Sequence, residues 1–223
     1  LLLLAFAVTN PAEASRAGSA DAPTGGSAPP ARGELILAAP TPTFKGGKVT
    51  FTGSVAGGGQ GSRLVIELLS DTGLWGIVAF AITTQDGSFS TSWKATKLGK
   101  YNVRVRRVGQ AGAISPETPS VSELSIYRGQ RASWYGPGFY GKTTACGQKF
   151  SRQIVGVAHR KLPCGTPVEI YYRGKRTVAP VVDRGPFANK AYWDLSYAVA
   201  KQLGFIDVGV DKIGVLPQPQ PAS

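Results

Sequence analysis

The sequence predicts a mainly β protein made of two modules in series. A chain of 223 residues exceeds one average domain, at roughly 100 to 200 residues each. Gly 29 and Pro 16 argue for many turns and short strands rather than a helical bundle. Near Arg131 the character changes: the single His, both Cys and several compact Gly/Pro motifs all follow it.

In chain order, Leu1-Leu-Leu-Leu-Ala-Phe-Ala-Val reads as the apolar core of a signal peptide, with small residues through Ala14 at a cleavage-site spacing. The run is too short to span a bilayer, which needs about 20 residues. Residues 1–14 are therefore expected to be a signal remnant, leaving no membrane anchor once cut. Residues 15–34 have almost no large apolar side chains and read as a disordered linker. Residues 35–127 carry strand-length segments at Lys48 to Ser54, Arg63 to Leu69, Trp75 to Thr83, Ser88 to Trp93 and Gly99 to Val108. Alternation in Val49-Thr-Phe-Thr-Gly and Phe89-Ser-Thr-Ser-Trp93 puts one face in a core and the other in water. Asp86-Gly87 is expected to turn a hairpin between the third and fourth segments. About seven strands at this spacing suggest an immunoglobulin-like β-sandwich without its inter-sheet disulfide, acting as a spacer or adhesion module.

Residues 128–215 form the second module, with strands expected at Arg131 to Tyr135, Gly156 to Ala158, Pro167 to Tyr172 and Arg176 to Val182. A helix is expected at Ser196 to Leu203, with Tyr197, Val199, Ala200 and Leu203 buried and Gly204 as the stop. Asp194 is read as its cap. Residues 216–223 read as a disordered, proline-rich tail.

The formal charge of +12 is concentrated in residues 128–223, with fourteen Lys/Arg against five Asp/Glu. Such a surface suits anionic partners, including wall polymers as well as nucleic acid. Export argues against nucleic acid and makes a Cys146–Cys164 disulfide the expected state of the two cysteines.

Chemistry is sought in the second module. In Ala132-Ser-Trp-Tyr-Gly-Pro-Gly-Phe-Tyr-Gly-Lys-Thr-Thr-Ala-Cys-Gly-Gln148, aromatics and glycines crowd together. Aromatic faces stack on sugar rings, and glycines admit a long ligand close to the backbone. Trp134 and Tyr135 are thus either stacking residues or core residues at a strand end. Val157-Ala-His-Arg-Lys-Leu-Pro-Cys-Gly-Thr166, Val181-Val-Asp-Arg-Gly-Pro-Phe187 and Trp193-Asp-Leu-Ser196 follow in order.

This ordered set, from Ala132 to Gly204, resembles the RlpA-like (rare lipoprotein A) family of septal-ring lytic transglycosylases, and covers about a third of the chain. The resemblance implies a six-stranded double-psi β-barrel with one or two short helices. It also implies peptidoglycan glycan strands as partner, and in catalytic members cleavage between N-acetylmuramic acid and N-acetylglucosamine, with no cofactor or metal. Such cleavage uses the sugar's own 6-hydroxyl as nucleophile and leaves a 1,6-anhydro end. One carboxyl can then serve as acid and base, relaxing the two-carboxylate rule of ordinary glycosidases.

Asp183, after the apolar run Val178-Ala-Pro-Val-Val182, is the candidate for that carboxyl, with a turn role as the alternative. Gln148, His159, Trp134, Tyr135 and Arg184 are the candidate substrate-binding residues. Gln148 stands where the family commonly has Glu. It can hydrogen-bond a sugar but cannot transfer a proton. A non-catalytic wall-binding or wall-loosening barrel, as in expansin-like proteins, is therefore the competing reading. A Cys/His hydrolase built on Cys146, His159 and Asp183 loses its nucleophile to the expected disulfide. A zinc site from Cys146, His159 and Cys164 lacks a close Cys pair and a fourth ligand. The expected protein is a monomeric, extracytoplasmic, wall-associated one.

Overall fold

The computed structural model describes residues 33–70, 72–109, 112–113, 120–188 and 190–218. The signal-remnant expectation and most of the linker lie outside the described residues. The elements are β1 (Leu35–Leu37), β2 (Thr43–Phe44), β3 (Lys48–Val55), β4 (Arg63–Leu69), β5 (Trp75–Ile82), β6 (Ser88–Lys94), β7 (Gly99–Arg107) and β8 (Val121–Tyr135). They continue with β9 (Val157–Ala158), β10 (Pro167–Tyr172), β11 (Lys175–Asp183), β12 (Trp193–Ser196), α1 (Tyr197–Leu203) and β13 (Val210–Pro217). The fold is mainly β.

In the first half, β1, β3 and β6 form one sheet in the order β1-β3-β6, and the order β8-β7-β4-β5 continues a larger sheet. Alternation is followed closely in β3, where Val49 and Phe51 are buried while Lys48, Thr50 and Thr52 face water. Leu35, Phe51, Leu64, Ile66, Phe89, Val103, Val105, Leu124 and Ile126 close a common core. The Asp86-Gly87 turn exists, with Gly87 at φ +81° and its N–H on Thr84 O. It is not a hairpin, however: β5 pairs with β4 and β6 with β3. Ala79 and Ala81 of β5 and Phe89 of β6 all bury into the same core, so the chain steps from one sheet to the other.

In the second half the order β12-β9-β11-β10-β13-β8 is closed by a β12–β8 pairing. Six strands thus make a barrel without a free edge, which removes the usual liability of unpaired strand backbone. Its interior holds Ala132, Val157, Val168, Ile170, Val181, Trp193, Leu195, Phe205, Ile213 and Val215. Helix α1 starts at Ser196, whose Oγ accepts from Val199 N, and stops at Gly204 in the left-handed region. Asp194 is therefore not the cap; it lies within β12, and the serine two residues later takes that role. Val199, Ala200 and Leu203 are buried as expected, while Tyr197 is only partly buried. Strand β13 runs to Pro217, into the segment expected as a tail.

Strand β8 serves both halves. Its first part pairs with β7 and its second with β13 and β12.

Candidate active site

Period-2 geometry decides which barrel residues face outward. Trp193 and Leu195 of β12 fill the barrel, so the intervening Asp194 points to the other face. The same alternation in β8 buries Ala132 in the barrel and turns Ser133 and Tyr135 outward. On β11 a register shift between Val181 and Asp183 keeps Val181 and Val182 buried and brings Asp183 opposite Ala158. Such irregularities commonly re-aim a side chain beside a functional site.

The pairings place Asp183, Ala158, Asp194 and Ser133 in one row across four adjacent strands. All four line a cleft of about 340 Å³, together with Tyr135, Phe139, Arg184, Pro186 and Phe187. Phe139 and Phe187 stand at its rim, 50% and 82% exposed. Phe187 follows Gly185, whose φ of +132° is a conformation that favours glycine. Arg160 braces this loop by donating to Pro186 O at 2.6 Å and to Ala191 O at 3.1 Å.

The carboxyls differ in setting. Asp183 Oδ1 accepts from Ala145 N and from Arg184 N, both at 2.8 Å. Burial pushes Asp194 up to about 6; a Ser133 hydrogen bond pulls against this and the negative charge of Asp183 adds to it. Asp194 Oδ1 and Tyr135 Oη are both buried without a hydrogen-bond partner. Buried polar atoms left unpaired are costly. Two of them facing one cleft mark it as built to receive a polar ligand or water. Burial, then the charges of Asp183 and Asp194, raises the Tyr135 phenol well above its ordinary range, so it remains a donor.

Among the expected site residues, Asp183, Tyr135 and Arg184 meet in this cleft. Tyr135 is also a packing residue, stacked on Phe150 at 4.4 Å. Trp134 lies on the opposite side of β8, its Nε1 donating to Ile206 O at 3.1 Å and its ring edge-on to Tyr197. His159 contributes structure: its Nδ1 accepts from Leu162 N at 2.9 Å and Lys161 N at 3.2 Å. Its ring lies 4.3 Å from Trp193, and burial, with Arg184 and Arg160 nearby, lowers its pKa. Gln148 is exposed in the turn whose Ala145 N–H holds Asp183. The disulfide joins Cys146 to Cys164, tying this turn to the 159–165 loop. Neither sulfur is then a free thiolate, which removes both the Cys nucleophile and the Cys zinc ligands. Sequence reasoning missed Asp194, Phe139 and Phe187. The in-out alternation of Trp193-Asp-Leu carried the signal for the first.

A family model described as "Lytic transglycolase" matches residues 128–215, the segment that builds the closed barrel and its cleft. Residues 128–215 are an RlpA-like domain. The probable endolytic peptidoglycan transglycosylase RlpA of Aquifex aeolicus (strain VF5) is 47% identical over 81 residues, 35% of this chain and 36% of that protein. Its namesake in Synechocystis sp. (strain ATCC 27184 / PCC 6803 / Kazusa) is 40% identical over 98 residues, 43% of this chain and 30% of that protein. The chain thus spans about a third of the length of these relatives. Among solved structures, the Streptomyces papain inhibitor is 25% identical at a TM-score of 0.32, covering 39% of this chain and 91% of that one. The RlpA-like domain is preceded by strands outside the matched segment, β1 to β7.

Proposed function

We propose that the chain acts on peptidoglycan in the cell envelope and cleaves the bond between N-acetylmuramic acid and N-acetylglucosamine, leaving a 1,6-anhydro end. The observation that carries this reading is the cleft in which Asp183 and Asp194 share one row under the exposed rings of Phe139 and Phe187. Flat aromatic faces suit sugar rings, and carboxyls are the groups that move protons in glycan cleavage. Names of relatives that specify endolytic peptidoglycan transglycosylase support the same substrate.

In this reading Asp183 faces the sugar carbon C1. Its carboxylate stabilises the positive charge that develops there as the C1–O bond to N-acetylglucosamine breaks. A carboxyl of the cleft supplies the proton of the leaving 4-hydroxyl, and Asp183 takes the proton of the C6 hydroxyl as its oxygen closes on C1. Backbone donors Ala145 N and Arg184 N hold the side chain in place. Tyr135 Oη and Arg184 are donors available to the sugar's polar substituents. Expected export and the disulfide fit an extracytoplasmic setting. The strands before residue 128 read as an immunoglobulin-like spacer; the facing orders β1-β3-β6 and β5-β4-β7-β8 support this.

A glycan-binding barrel without cleavage is the second reading, favoured by Gln148 in the position where the family commonly carries Glu. Mass spectrometry of peptidoglycan, intact and freed of stem peptides, separates the two after incubation with wild type and Asp183→Asn. New 1,6-anhydromuramic ends from wild type alone support cleavage. Cosedimentation of both proteins with sacculi and release of nothing supports binding.

A further inference from the structure

We infer that Asp194 is a second catalytic residue of the cleft, the acid that protonates the leaving oxygen, so that the two proton transfers fall to two different carboxyls. The inference rests on the cleavage reading above and divides its chemistry.

Geometry sets the pair. Asp183 and Asp194 flank Ala158 on the two neighbouring strands, which separates their Cα atoms by two strand spacings, about 10 Å. The side chains face one cleft. A glycosidic bond lying over the small Ala158 side chain has a carboxyl on either side. Asp183 Oδ1 is already occupied by two backbone donors and is fixed as an acceptor. Asp194 is the reverse: it lines the cleft, and its Oδ1 is buried with no hydrogen-bond partner, so no backbone donor holds that oxygen as an acceptor. The groups facing it are Ser133 and Tyr135 from β8, Asp183 from β11 and Arg184 from the following loop. His159, the residue after β9, has its ring against Trp193. Burial raises Asp194 to about 6, keeping a usable protonated fraction near neutrality. A carboxyl kept partly protonated by burial is a common form of general acid.

The steps balance without water. Asp194 gives its proton to the glycosidic oxygen as the C1–O bond breaks, releasing the 4-hydroxyl of N-acetylglucosamine. The C6 oxygen then bonds to C1, and its proton passes to Asp183. Exchange with solvent moves a proton off Asp183 and back onto Asp194.

The test compares two substrates: a glycan oligomer free of stem peptides, and the 2,4-dinitrophenyl glycoside of the same muramic-ended oligomer, whose leaving group needs no proton. Asp194→Asn, close to isosteric and checked by its melting curve, is expected to lose at least about a hundredfold on the glycan. On the dinitrophenyl substrate it stays within about tenfold of wild type. Asp183→Asn loses both. Wild-type glycan cleavage falls about tenfold per pH unit above about 6, whereas dinitrophenyl release does not. Asp194→Asn that still cleaves glycan at near the wild-type rate, or that loses both substrates equally while folded, overturns the inference alone. A wild type inactive on both substrates overturns it together with the cleavage reading.

Discussion

Asp194 carries a stability cost that follows from its setting. Its folded pKa of about 6 lies above the ordinary 3.8, so the folded protein holds this proton more tightly than the unfolded chain. Stability from this group is full below about 4, declines as pH rises toward 6, and is lost above it. A carboxyl raised this far costs about 3 kcal/mol when it must ionise in the fold, and partial exposure reduces this to about 2 kcal/mol. Asp194→Asn removes the charge, so the variant is expected to be more stable than wild type at pH 8 and equal to it at pH 4. Thermal unfolding at the two pH values checks this, and a constant difference across pH would contradict it. That a residue so placed escapes sequence reading has a local cause. An Asp just before a helix reads as a cap, and the pairing of β12 between β9 and β8 places it in a strand.

The elements that hold the cleft are loops pinned to strands. The disulfide closes a loop of separation 18, worth about 3 kcal/mol in the chain-entropy account. Replacing Cys146 and Cys164 together by Ser is expected to lower the urea midpoint accordingly, and to weaken glycan cosedimentation as the Ala145 turn leaves Asp183. Phe187 works differently, since at 82% exposure it supports little of the fold. Phe187→Ala is expected to leave the melting temperature within about a degree but to weaken glycan binding about three- to tenfold, near 1 kcal/mol of stacking. Unchanged binding would exclude it as a sugar platform. Strand β3, which alternates, and β4 and β10, short apolar-rich runs bounded by turn residues, are legible in the sequence within a residue or so. Strand β13 is not: its end, Leu216 and Pro217, falls in the segment that reads as a proline-rich tail. In the fold a Cβ at Gly214 would sit 2.8 Å from Tyr127 Cβ, so the glycine admits a neighbouring side chain rather than ending the strand.

At the scale of the whole molecule, the junction near residue 128 reads as a boundary in the sequence because the single His, both Cys and the compact Gly/Pro motifs all follow it. In the fold this stretch is the middle of β8, paired with β13 through Arg128, Gly129 and Gln130. A continuous strand transmits unfolding between the halves more directly than a linker would. A buried polar contact reinforces it. Glu169 of β10 is 3% exposed; it accepts a hydrogen bond from Tyr127 Oη at 2.6 Å and pairs with Lys100 of β7. Tyr127 also stacks on Tyr171, ring centroids 5.1 Å apart. Removing the carboxylate would strand the buried phenol, while half-exposed Lys100 returns to water. Glu169→Ala is therefore expected to cost about 2 kcal/mol, most of it from the orphaned hydroxyl. Glu169→Gln, which can still accept from Tyr127, should cost less. Calorimetry of the wild type is expected to show one cooperative transition, and Glu169→Ala to split it or broaden it. Two well-separated transitions already present in the wild type would mean that β8 and Glu169 do not couple the halves.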